Sequence, residues 1–368
     1  MTIIRFVYKS LWRSGEIIAQ SSENAQFPAD NTQDDCKELV WRSNGLGAEK
    51  MVDGGLEIWA SATNLTNWTE AIAGTSTVNR EAVTIHGGTY SCRFDVDGSA
   101  SNAQISQTIT LTANGSYRLS FWYKAPVGYN VSWQLKDAAG NVYLTSAGAW
   151  TAGATYNNAA GTGDWAEKAL NFIAHNSYTS YILALIRGAA SASQSLYVDD
   201  VSIYPLQYID CDFGAADEYD SVSILRHNFT SSAIVTVHGA DDATFLTNKV
   251  SDVLTYNGNN IFEFLATART KRYCRLSVHD IANPSAYIQI GVIVVGKYFQ
   301  PNRNFTKYSE GEVDETEMEK SPSMNLFTVQ ERPKIITWEL PFEGLDITST
   351  ATIRLMRANN GVSKALEF

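Results

Sequence analysis

Cysteine is scarce. Four in 368 residues (Cys36, Cys92, Cys211 and Cys274) stand far apart, and none has the CxxC spacing of a zinc or redox site. So few, so widely spaced, make no disulfide framework; they read as buried free thiols of a protein folded in a reducing compartment. Basic charge is short as well: 28 Lys+Arg face 39 Asp+Glu, for a net charge of -11. An acidic surface repels phosphate backbones, and no Lys/Arg cluster with interleaved aromatics offsets it, so nucleic acid is excluded as a partner. Long apolar runs are missing too. The best, Ile288 to Val295, is strand-length, well under the ~20 residues of a membrane span. Met1 to Val7 is too short for a signal peptide and Arg5 interrupts it. Neither membrane insertion nor secretory export is expected.

Catalytic signatures are absent as well. No HExxH, no G-x-S-x-G and no G-x-x-x-x-G-K-[ST] occurs. The five histidines (His86, His175, His227, His238 and His279) are scattered. Carboxylates are plentiful, but no pair is marked out for glycoside hydrolysis. The chain reads as a non-enzyme.

What is present is β-forming. Thr, Ser, Asn, Gly, Tyr and Trp abound, and helical-period runs of Ala/Leu/Glu/Lys are missing. Across 51–205 strand-like segments recur between turn signals, among them TYSCRFDV (89–96), YRLSFWYKA (117–125), NVSWQLKD (130–137) and LYVDDVSIY (196–204). That spacing describes a sandwich or jelly roll. A similar pattern resumes over 207–298. Residues 9–48 are mostly loop and turn, ending in VWRS. The acidic run 309–322 reads as a solvated loop, and ITWELPF (336–342) and TATIRLMRA (350–358) read as strands.

Ordered pieces of 51–205 resemble the family 4/9-type carbohydrate-binding modules. They are DGGLE (53–57), GTYSCRF (88–94), YRLSFWYKA (117–125), GDWAEKALNF (163–172) and LYVDDVSIYP (196–205). In YRLSFWYKA, Tyr117, Leu119, Phe121 and Tyr123 alternate with Arg118, Ser120, Trp122 and Lys124, giving one core face and one open face. An open indole beside Lys and Ser suits a pyranose. Trp122, Lys124, Trp133, Gln134, Tyr143 and Trp150 are therefore the candidate carbohydrate-binding residues, whereas Trp165 and Trp68 are expected in the core. The resemblance also implies a structural calcium ion (Ca2+) at Glu57, Asp199 and Asp200, since hard cations take clustered carboxylate oxygens.

A second resemblance, to discoidin-type (F5/8-like) sandwiches, rests on SSENAQFPADN (21–31), VWRSNG (40–45), YIDCDFG (208–214), SILRHN (223–228) and YIQIGVIVVG (287–296). It implies an all-β protein of two sandwich domains. A discontinuous discoidin-like domain (1–48 with 207–300) carries the inserted module (49–206) in a loop, and a β-rich assembly segment (301–368) follows. A jelly roll with adjacent termini is spliced into a surface loop at little cost. Residues 1–48 alone are too few to hold a core. This style of protein resembles bacteriophage tail-tip or baseplate components. The implied partners are other tail proteins, host cell-surface polysaccharide and further copies of the chain around the tail axis, in a virion assembled in the host cytoplasm. The alternatives are a purely structural tail protein and an accessory module of a polysaccharide-degrading enzyme.

Overall fold

In the computed structural model the described residues are 5–34, 38–96, 102–187, 194–256, 258, 260–302, 309–313, 317–320, 326–330, 335–339 and 345–360. The chain is all-β, built of antiparallel sheets, and divides into two compact units, Leu11–Val295 and Met1–Ser10 with Gly296–Phe368.

The larger unit holds two sandwich cores. In the first, a five-stranded sheet runs in the order Trp165–Ile173, Ser116–Lys124, Gln194–Pro205, Ser91–Val96, Thr77–Glu81. It faces a seven-stranded sheet that includes Asn130–Asp137, Ser180–Arg187 and Asn102–Thr110. The expected alternation holds along Ser116–Lys124. Tyr117, Leu119, Phe121 and Tyr123 are buried, while Arg118, Ser120, Trp122 and Lys124 are half-buried on the outer face. Phe121 meets Trp133 of the opposite sheet edge-on at 6.5 Å, and Trp68 joins this core as expected. The ends of this stretch lie side by side: Lys50 N–H donates to Ile203 O at 2.9 Å and Val201 N–H to Gly54 O at 2.8 Å. Gly54 permits the approach, because a Cβ there would fall 1.9 Å from Val201 O.

The second core draws on both flanks of that stretch. Trp12, Ala29 and Trp41 pack with Ile209, Val222, Leu276, Ile288 and Ile293. Its sheet sets Gln207–Leu225 against Asn260–His279, with Ile234–Ala240 and Val250–Leu254 beyond and Glu16–Gln20 beside the first strand. Trp41–Arg42, from the VWRS segment, pairs with Gln289–Ile290. Cys92, Cys211 and Cys274 are free and buried, as read from the sequence; Cys36 lies outside the described residues.

In the smaller unit Phe6 to Ser10 pairs with Phe299 to Gly296. Two expectations fail here. The acidic run contributes strands rather than only loop: Ser309–Val313 pairs with Ile335–Glu339, and Glu317–Lys320 with Leu326–Gln330. Backbone ladders supply what the charge count does not report. TATIRLMRA is no strand but part of the helix Ile347–Asn360. Asp346 starts it, its Oδ1 accepting the Ser349 N–H at 2.6 Å while its carbonyl accepts the Thr350 N–H at 3.0 Å. That cap outweighs the weak β preference of the threonines.

Candidate functional site

The candidate residues do not form one cluster. Trp122 and Lys124 stand on the outer face of the five-stranded sheet. Gln134 and Tyr143 belong to the seven-stranded sheet. Trp133 is fully buried between the sheets, so its ring face is closed to a ligand. The reason is the period of the strand: Trp133 and Gln134 are adjacent and must point to opposite sides, and the core took the larger apolar ring. Trp150 is half-buried against the same core. Its indole N–H donates to Ile173 O at 2.7 Å and its ring lies 5.4 Å from that of Tyr181. Gln134 points outward but is covered, its amide N–H donating to Thr155 O at 3.0 Å. Tyr143 stays half-buried opposite Lys136.

Around Trp122 the structure assembles aromatics the sequence had kept apart. Lys124 is in register with Trp165 on one neighbouring strand and Tyr197 on the other. Trp165, expected in the core, is half-buried, its ring 6.5 Å from Tyr197. His86 lies flat on the Trp122 indole, with centroids 3.8 Å apart and planes at 14°, and meets Trp165 edge-on at 5.7 Å. Such ring pairs contribute roughly 0.5–1.5 kcal/mol beyond their burial. Lys124 Nζ sits 3.5 Å from Asp164 Oδ1, and the Asp164 carboxyl is held low, first by the Trp165 N–H it accepts and then by Lys124.

The carboxylates expected to hold calcium position His86. Asp199 is buried, and its Oδ2 accepts the N–H groups of His86 at 2.9 Å and Gly87 at 3.2 Å. Asp200 Oδ2 lies 2.6 Å from His86 Nδ1. It lies within a register shift in the pairing with Ser116–Lys124, with a positive φ of 46°. Glu57 Oε1 accepts the N–H of Thr89 at 2.7 Å and of Tyr90 at 3.2 Å. All three carboxylates thus gather on the His86–Tyr90 loop. Burial pushes the Asp199 carboxyl up to about 6, its N–H donors pulling the other way and Asp200 adding to the rise. Hard oxygen donors of this kind suit calcium. As they stand, amides and His86 take up their oxygens, and among the described residues no group of three or more His, Cys, Asp or Glu is placed to hold a metal ion.

His86 was the residue sequence reasoning missed. It stands far from Trp122 in the chain, and no local pattern announces a loop folding onto a strand's outer face. Trp165 carried the better signal, a Trp opening a strand that pairs with YRLSFWYKA.

The family model described as "Carbohydrate binding domain" matches residues 54–191. This stretch is similar to carbohydrate-binding modules. Among solved structures, the enzymatically active domain of tailspike protein 4 from bacteriophage CBA120 is similar over 42% of this chain and 21% of its own, at 18% identity and a TM-score of 0.33. TmCBM61 in complex with β-1,4-galactotriose is similar over 43% of this chain and 99% of its own, at 17% identity and a TM-score of 0.33. A family 16 carbohydrate-binding module is similar over 34% of this chain and 84% of its own, at 21% identity and a TM-score of 0.25. No curated protein matches the chain.

Proposed function

We propose that this protein is a virion tail component, of the tail tip or baseplate, that binds host-surface polysaccharide through the module at 49–206. The host domain is a discoidin-like sandwich interrupted by that module, and residues 301–368 serve assembly. The observation that carries the binding reading is the convergence of Trp122, Trp165, Tyr197 and Lys124 on one outer face, within and beside the matched stretch. Aromatic surface covers the C–H side of a sugar, and Lys124 with Asp164 reads its hydroxyls. Weak single sites suffice where copies ring a tail axis, since linked sites multiply avidity. A calcium ion at Glu57, Asp199 and Asp200 is part of the proposal, supported by their gathering on one loop.

The test is calorimetry of the full chain with purified envelope polysaccharides from bacterial hosts, with and without calcium. Saturable binding that Trp122→Ala weakens about tenfold supports the reading, an indole contact lying in the range of a few kcal/mol. Binding indifferent to Trp122→Ala moves the site elsewhere. No binding by the folded chain favours a second reading, a purely structural tail protein. The stacking of His86 on the Trp122 face supports that alternative, because it occupies ring surface a sugar would need.

A further inference from the structure

A cavity of about 350 Å³ opens where the chain passes between the two sandwich cores of the larger unit. Four segments line it: Ser21 and Ser22, residues 44–47 on the way in, 205–208 on the way out, and the turn 112–117. No charged side chain is among its lining residues. Gln207, 5% exposed, anchors its floor. Its Oε1 accepts the hydroxyls of Ser21 at 2.8 Å and Ser22 at 2.9 Å. Both hydroxyl oxygens already accept a backbone N–H, Ser21 Oγ from Tyr208 at 3.0 Å and Ser22 Oγ from Asn44 at 3.2 Å. The two serines hold the Gln207 amide by its Oε1 end. The Gln207 NH2 is left with no acceptor among the described residues and lines the cavity. That amide is available to a molecule that enters the cavity.

We propose that this junction cavity is a binding site for a neutral sugar unit, apart from the Trp122 face. The lining selects the class. No cationic side chain lines it to neutralise a phosphate or carboxylate, and no anionic one to hold a metal or an amine. It offers instead hydroxyls and amides that both donate and accept, set beside the Tyr208 ring, whose position Arg275 fixes from 4.1 Å. Alternating hydroxyl partners beside an aromatic wall suit a pyranose, and the volume lies at the small end of ligand pockets. The site goes beyond the binding reading above and shares no residue with it, so either can fail alone.

The test is ligand-observed NMR of the full chain with D-glucose, D-galactose, N-acetyl-D-glucosamine and L-rhamnose at millimolar concentration. At least one should bind saturably, with affinity unchanged by Trp122→Ala. Thr112→Trp, at an exposed position on the cavity rim, should abolish that binding while the melting curve stays that of the parent. Gln207→Glu should weaken it about tenfold, as loss of a neutral donor does. Saturable binding that survives Thr112→Trp, or no saturable binding by any of the four sugars, overturns the proposal.

Discussion

Arg275 and Asp210 form a fork-to-fork pair with no access to water. Nε and Nη2 of the guanidinium donate to Oδ1 and Oδ2 at 2.6 Å each, and the two side chains are 0% and 1% exposed. The pair sits at the seam between the two sandwich cores. Its remaining nitrogen, Nη1, crosses that seam to the Asn114 carbonyl at 2.7 Å and the Ser116 hydroxyl at 3.1 Å. The rings of Tyr208 and Phe245 flank the guanidinium at 4.1 and 4.6 Å. All three guanidinium nitrogens donate, which ties the two cores together at this point.

Removing one partner leaves a buried charge, which costs about 3–5 kcal/mol. Arg275→Met should therefore lower unfolding stability by about that amount. Asp210→Leu with Arg275→Met should restore much of the loss, because the stranded carboxylate is gone. Urea melts of both variants measure this. A double variant as weak as Arg275→Met alone would mean that the bonds to Asn114 and Ser116, not the pair, carry the stability.

Acid should weaken the protein through two histidines. Burial lowers both His227 and His279 to about 4. A histidine depressed in the folded state contributes stability that is full above its unfolded value near 6.5 and is lost as pH falls toward 4. The midpoint in urea should thus drop between pH 6.5 and 4, and His227→Gln with His279→Gln should flatten that slope. An unchanged slope in the double variant would assign the acid response to other groups.

Much of the fold was legible, and the reasons are local. The alternation in YRLSFWYKA fixed which face of the strand is core, because period-two burial depends on neighbours in sequence alone. Adjacent Trp133 and Gln134 show the limit: period two says they face opposite ways but not which one faces in, and that depends on the opposite sheet. The site was half legible. Trp122 and Lys124 were found on an open face, whereas the histidine that stacks on Trp122 arrives from a loop, and its placement depends on Asp199 and Asp200 more than a hundred residues later. Threonines in TATIRLMRA pointed to a strand because an N-cap at Asp346 weighs on the whole helix while propensity is read one residue at a time.

The calcium part of the proposal has a direct readout. An ion that binds only the folded state raises stability by about 2.7 kcal/mol at a concentration one hundred times its dissociation constant. Adding calcium to chelator-treated protein should raise the thermal midpoint, and Asp199→Asn or Glu57→Gln should remove the rise. Magnesium should do less, since these carboxylates sit on a loop rather than in an octahedral cage. A midpoint unmoved by calcium would mean that the amides of His86, Gly87, Thr89 and Tyr90 are the final partners of these carboxylates.

Arg187 gives a prediction of opposite sign. It ends the Ser180–Arg187 strand at 5% exposure, and among the described residues neither Nε nor Nη2 has a hydrogen-bond partner. The Tyr129 ring lies 5.3 Å from its Cζ. Desolvation lowers its affinity for the proton that gives it charge. A guanidinium cannot shed that charge near neutral pH, so folding bears the cost of burying it. Methionine fills a similar volume, packs against an aromatic ring and carries no donor to strand. Arg187→Met should therefore stabilise the fold by about 1–4 kcal/mol, the range seen when buried ionic groups give way to apolar ones, and raise the thermal midpoint. A lowered midpoint would show that the ring contact outweighs the unmet donors. A raised midpoint with lost polysaccharide binding would show that the arginine is kept for a ligand and not for the fold.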